Sequence, residues 1–348
     1  MTKSKFEELL SGRQASLPMQ TRKSPSPKKF NQIVEIRESL DNERERRLWT
    51  EAIACARDVA LAFLPHSKTK EKFIERSIVY GPGCTVTVRF SVPQNCEMPY
   101  GSDRFVLFGI QHLARVQNSP VVQFEKAGQL LEMFGIEGSG AQYRLLRERF
   151  ERLKSLNVEI EATIPNRAKW GAGTRLLEEW ALPTKKDVDA EKSGQGNLLQ
   201  TTQDESLFFV RLADGLFNQI QRGNPAENLL LVRLDLLKLF RGSPIGWDFC
   251  VFLLHRCGSA KSTSVVPHEV LMELFKSGKE KDRDTIARLQ GYHSEIMAAT
   301  QGSLNSELCI VKEERKGRGR PRKMWGLKVG PSSNVVIDGK PKFPFSLE

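Results

Sequence analysis

The residues of this sequence best suited to chemistry are cations rather than nucleophiles or metal ligands. Residues 313–323 read Glu-Glu-Arg-Lys-Gly-Arg-Gly-Arg-Pro-Arg-Lys, so Arg315, Lys316, Arg318, Arg320, Arg322 and Lys323 crowd a stretch that Gly317, Gly319 and Pro321 would bend. Within it, Arg318-Gly319-Arg320-Pro321 has the form of an AT-hook core. Glycine there lets the backbone sink into a narrow groove, and the flanking guanidinium groups run along the floor, where A·T tracts concentrate negative potential. A second group, Arg144, Arg147, Arg149, Arg152 and Lys154, lies along a helical pattern, with Arg167, Lys169 and Arg175 just beyond it. A third, Lys281, Arg283 and Arg288, opens a helical pattern that leads into the first stretch.

Catalytic groupings are hard to find. Gly258-Ser259-Ala260-Lys261-Ser262 imitates only the end of a phosphate-binding loop. No His-x-His pair accompanies a tyrosine nucleophile, and His66, His112, His255, His268 and His293 are dispersed, as structural histidines are. The acidic residues form no metal-binding pattern. The six cysteines have neither Cys-x-x-Cys pairs nor zinc-finger histidines, and read as reduced thiols. The expectation is therefore a protein that is not an enzyme and needs no cofactor or metal. A formal charge of +11, reached despite 42 acidic residues, favours an anionic partner, with nucleic acid ahead of membrane. No apolar run is long enough to span a bilayer and no signal core follows the start, so a cytoplasmic location is expected.

The elements that would position these cations recur in order. Residues 1–30 read as a flexible basic arm, and residues 31–64 as a helix that Pro65 stops. Residues 78–92 read as a hairpin. Then come a helix from Ser102 or Asp103 to about Val116, a strand over 119–124, a short helix over 125–134 closed by Gly135, the Arg-rich helix over 141–156, and a hairpin of 158–162 with 174–182. After a polar stretch at 183–206 come a strand over 206–210 and a helix over 213–220. The order then repeats, with helices over 235–240 and 245–256, a strand over 263–266, a helix over 267–275 with Pro267 in its first turn, a longer helix over 281–300, and strands over 307–312 and 324–328 carrying the cationic turn. Helix, strand, helix, helix, hairpin is the order of a winged helix. The fold class expected is α+β, with two tandem winged-helix domains and a flexible basic N-terminal arm. The divisions are 1–30 arm, 31–182 first domain, 183–206 flexible linker or loop, 207–337 second domain and 338–348 tail.

In a winged helix the helix before the hairpin enters the major groove, and the hairpin flanks the backbone or enters the minor groove. Both sets of cations fit that scheme. The competing reading of the first helix is a solvated, salt-bridged face, because Glu148 and Glu151 sit among its arginines.

Several motifs carry a family likeness. Met98-Pro99-Tyr100-Gly101-Ser102-Asp103-Arg104, Gly135-Ile136-Glu137-Gly138-Ser139-Gly140, Ser243-Pro244-Ile245-Gly246-Trp247-Asp248 with Leu253-Leu254-His255-Arg256, and Trp325-Gly326-Leu327-Lys328-Val329-Gly330-Pro331-Ser332 stand in an order that resembles the RepA class of bacterial plasmid replication initiators. The likeness spans residues 75–337. Phe249 and Phe252 depart from the Tyr and Trp of the pattern, and the cationic turn is richer in arginine. The resemblance implies binding to repeated sites (iterons) in double-stranded origin DNA, opening of adjacent A·T-rich DNA, recruitment of a host initiator ATPase and replicative helicase, and possible homodimers that repress their own promoter. The alternatives are a transcription regulator of the same architecture and, from a different class, a DNA-nicking enzyme.

Overall fold

The computed structural model describes residues 52–81, 84–124, 128–163, 170–181, 208–222, 229–313 and 322–332. Strand β1 (Ala52–Ala56) runs straight into the short helix α1 (Arg57–Leu61). A helix was expected here, because Ala52, Cys55 and Val59 have helical spacing; the rest of that expected helix lies outside the described residues. Ile53, Ala54, Cys55 and Ala56 are all buried, so the strand shows no alternation from which its period could be read.

The hairpin of β2 (Phe73–Gly81) and β3 (Cys84–Ser91) follows, then helix α2 (Asp103–Val116), strand β4 (Val121–Gln123), helix α3 (Gln129–Met133) and helix α4 (Gly140–Leu153). A hairpin does follow α4, from β5 (Asn157–Thr163) and β6 (Trp170–Arg175), but its second strand lies mostly in the expected turn and not over the expected 174–182, and it is not a free wing. Strand β5 also pairs with β3, giving a four-stranded antiparallel sheet in the order β2-β3-β5-β6.

The chain then separates into β7 (Leu177–Ala181), which leaves that sheet and pairs with β8 (Phe209–Leu212); β8 pairs on its other side with β4. Residues 182–208 therefore join two neighbouring strands of the first half, the place of a loop, which is one of the two readings of 183–206. Helix α5 (Asp214–Arg222), strand β9 (Leu229–Arg233) and helix α6 (Leu234–Leu239) lead to the second half. That half consists of α7 (Pro244–Ser259), β10 (Ser264–Val266), α8 (His268–Phe275), α9 (Asp282–Ala299), β11 (Ser306–Glu313) and β12 (Arg322–Val329), close to the expected spans. Its sheet has the order β10-β12-β11 and the first half has β4-β8-β7, both antiparallel, so the two halves share one strand order.

The halves meet through one pair of strands. Strand β1 pairs antiparallel with β9, and the central pair is Ala54 with Leu231. Superposing those two residues in sequence aligns Asp58 with Asp235 and Phe63 with Phe240, so β1-α1 and β9-α6 are equivalent segments crossing at equivalent residues. The contacts beyond them exchange in the same way. Phe63, after α1, packs on Phe275 at the end of α8, and Arg241, after α6, donates to the Gly135 carbonyl after α3. Helix α2 covers the other edge of β1, where the Ala56 amide donates to Gln111 Oε1 at 2.9 Å and the Ala54 amide to His112 Nδ1 at 3.5 Å. One continuous buried core runs through both halves, with Trp247 of α7 set edge-on to Phe108 (5.7 Å) and tilted on Phe134 (5.4 Å).

Candidate nucleic-acid interface

Helix α4 is held by a small set of local choices. Gly135, at φ +64°, ends α3, and Ser139 caps α4 by accepting from the Gln142 amide at 3.3 Å. Gly128 and Gly138 leave room for Tyr143, since a Cβ on either would fall 2.6 or 2.9 Å from its hydroxyl oxygen. Leu146, Phe150 and Leu153 form the buried stripe, and Arg144 and Arg147 are exposed, with Arg144 4.0 Å from Glu148.

The other arginines of α4 turn inward. Arg152 donates to both carboxylate oxygens of Asp103, at 2.7 and 2.8 Å, and lies over the Tyr100 ring. Arg149 stacks 4.2 Å above Phe105 and comes within 3.9 Å of Asp103, whose side chain is 1% exposed. Burial pulls the Arg149 pKa down; for Arg152 burial is also the largest influence, but the hydrogen bonds to Asp103 together with the charges of Asp103, Tyr100 and Glu97 outweigh it and the net shift is upward. Lys154 pairs with Glu151 and sits over Trp180 of β7. Of the five cations on this segment, Arg144 and Arg147 therefore face solvent, Lys154 is half-buried, and Arg149 and Arg152 act as internal ties. Arg175 is exposed at the end of β6, and Arg167 and Lys169 lie outside the described residues.

The second half divides its cations similarly. Lys281 and Arg283 are exposed at the start of α9, Arg283 at 91%, 3.6 Å from Asp284. Arg288 instead reaches back to Glu280 at 2.6 Å and to the Phe275 carbonyl at 2.8 Å, tying α8 to α9. Burial would raise the Glu280 pKa, but hydrogen bonds from Thr285, the Ser277 amide and Arg288 bring it below the usual carboxylate range. Strands β11 and β12 pair over eight positions, from Ser306 with Val329 to Glu313 with Arg322, and this stem leaves residues 314–321 to join them. Arg315, Lys316, Arg318 and Arg320 lie outside the described residues, and so do the side chains of Arg322 and Lys323, whose backbones close the stem.

Sequence reasoning missed the carboxylates that draw arginines inward. Arg149 stands three residues after Leu146, and Arg152 next to Leu153, on the flank of the apolar stripe; that placement was the available signal. It also missed Trp180, a large aromatic 39% exposed beside Lys154. Among the described residues no group of three or more His, Cys, Asp or Glu could hold a metal ion, and no helix is long and apolar enough to cross a membrane.

No family model and no curated protein matches the chain, so the RepA-class resemblance rests on its own motifs. The fold is similar to crystal structures of domains 2 and 3 of RctB. One, at 12% identity and a TM-score of 0.43, covers 80% of this chain and 98% of that one; a selenomethionine form, at 11% and 0.44, covers 78% and 95%.

Proposed function

We propose that this protein is a non-enzymatic plasmid replication initiator of the RepA kind, built from two tandem winged-helix domains. It binds repeated sites in double-stranded origin DNA, promotes opening of adjacent A·T-rich DNA, and recruits a host initiator ATPase and the replicative helicase. The observation that carries this reading is the cationic turn, joined to an eight-pair antiparallel stem directly behind α9. A paired stem before the cationic residues is what a wing needs if it is to lie along a groove while the helix before it enters the next. The shared strand order of the two halves supports a second such unit, with Arg144 and Arg147 on its helix. A second copy could add to β2, an edge strand among the described residues, where Phe73 and Val79 are 54% and 62% exposed, which supports a homodimer.

The direct test is salt dependence. Replacing Arg318, Arg320 and Arg322 with alanine should flatten the plot of log K against log salt by up to about 0.9 unit per lost phosphate contact. An unchanged slope would remove the turn from the interface. Complementation separates the replication reading from a transcription regulator, because only an initiator lets a plasmid bearing its sites replicate when the protein is supplied in trans. Incubating supercoiled site DNA with Mg²⁺ tests for nicking, and a relaxed product with a covalent protein adduct would overturn the non-enzymatic reading.

A further inference from the structure

The first and third motifs that carry the family likeness meet inside the molecule. The turn ending in Ser102 is held by Gly101, at φ +55°, whose amide donates to the Pro65 carbonyl at 2.8 Å and whose Cα faces Pro244 at the start of α7. From this turn Asp103 and Arg104 diverge. Asp103 faces α4 and takes the paired hydrogen bonds of Arg152. Arg104 faces the other half, where its Nε lies 3.0 Å from Asp248 Oδ1 on α7 and its Nη2 donates to the Leu64 carbonyl at 2.7 Å. The second oxygen of Asp248 lies 3.0 Å from His66 Nε2. Arg104 and Asp248 are 2% and 3% exposed, so the pair is sealed between the halves. On the far side, Ser243 at the start of α7 shares a 2.7 Å hydrogen bond with Tyr292 of α9, and Phe240 meets the same tyrosine edge-on.

We infer that Asp103 and Arg104 are positioning residues, two neighbours on one backbone that fix where α4 stands relative to α9. The aromatic contact of Trp247 with Phe108 and Phe134 resists separation of the halves and still tolerates some sliding of ring on ring, whereas Asp248, held between Arg104 and the His66 hydrogen bond, is fixed from two sides. The pair is also imperfect. Among the described residues Arg104 Nη1 is buried without a hydrogen-bond partner, and Nε, though near Asp248, is not aligned for one. A buried pair of this quality adds little stability over an apolar replacement, and its contribution is orientation. One connected path runs from α4 through Arg152, Asp103 and Arg104 to Asp248, along the first turn of α7 to Ser243, and by Tyr292 to α9.

The test measures orientation separately from folding. Nitroxide labels carried on a keto amino acid at positions 148 and 287, both exposed on α4 and α9, report the distance between the helices. Asp248→Asn leaves the Arg104 charge buried and can unfold the chain, so the decisive variant is Arg104→Met with Asp248→Leu, which removes both charges. It should melt cooperatively and close to the parent, yet its distance distribution should broaden clearly. A folded double variant with the parent's distribution would overturn the inference. A second arm rests on the proposed function. On duplexes selected from a random library by the parent protein, the variant should lose about tenfold in affinity for the whole site and keep its affinity for either half, because the second contact is no longer pre-placed. A broadened distribution with whole-site affinity unchanged would keep the joint and refute two-helix binding.

Discussion

Arg147→Ala and Arg152→Ala, five residues apart on α4, should fail in different ways. Arg152 is half-buried, and its two hydrogen bonds neutralise Asp103, a carboxylate 1% exposed. Removing it leaves that charge with Arg149 at 3.9 Å and the Tyr100 amide at 2.9 Å as its remaining contacts. Breaking a buried pair from one side costs about 3–5 kcal/mol. Because Arg149 remains close, the lower end applies, at about 3 kcal/mol. At roughly 2–4 °C per kcal/mol for chains somewhat smaller than this one, the melting temperature should fall by about 6–12 °C. Arg147 is exposed, and its truncation should stay within about 0.5 kcal/mol, or about 2 °C at most. The two variants are melted by circular dichroism, then titrated with site DNA below both transitions. Arg147→Ala should lose affinity at unchanged stability, and Arg152→Ala should lose stability first. Equal melting temperatures would refute the division of α4 into an outward and an inward set of arginines.

Acid should also weaken the fold. Burial, with nearby Arg115 for His112 and with Arg57 and Arg256 for His255, pushes both histidines down to about 4 from 6.5. The unfolded chain then binds more protons between those values, so this stability is present above about pH 6.5 and is lost as the pH falls toward 4. Each histidine should contribute a loss of about 2 kcal/mol by pH 5, read as a lower urea midpoint than at pH 7.5; equal midpoints would show that these histidines are not held neutral. Two helical glycines should respond oppositely to alanine. A Cβ at Gly109 in α2 would lie 2.6 Å from Leu130, so Gly109→Ala should cost about 1–3 kcal/mol, while Gly291 in α9 has open space and Gly291→Ala should add up to about 1 kcal/mol in the same urea titration.

Much of the second half was legible in the sequence because several of its elements bury one face and its central helix announces itself. Leu308 alternates with more exposed neighbours, and Ser243-Pro244 marks the start of α7, which is buried all round, by cap and ring. The first half was harder to read for physical reasons. Strand β1 is buried on both faces and paired with a strand some 175 residues away, so its apolar spacing could not distinguish strand from helix. Strand β5 was visible, but its partner was placed at 174–182 and not at 170–175, and its pairing with β3 depends on a register that local sequence does not encode. On α4 the charges were legible and their directions were not, since a carboxylate such as Asp103, far along the chain, decides which arginines turn inward.

That pairing also alters how the proposed interface is shared between the halves. If the sheet β4-β8-β7 is the winged-helix sheet of the first half, its wing is the connection over residues 182–208, and the cationic positions Arg167 and Lys169 belong to a different hairpin. Residues 182–208 carry three lysines against five carboxylates, whereas residues 314–321 carry four cations against one. Phosphates repel the first connection and attract the second, so two units of one topology cannot grip a duplex equally. With Arg149 and Arg152 also committed to Asp103, the first half is left with the outer face of α4, chiefly Arg144 and Arg147. The second half has the exposed start of α9 and the cationic turn together. On this reading the second half anchors the chain on DNA and the first reads what the anchor brings within reach, which is why a rigid joint at Arg104 and Asp248 would matter.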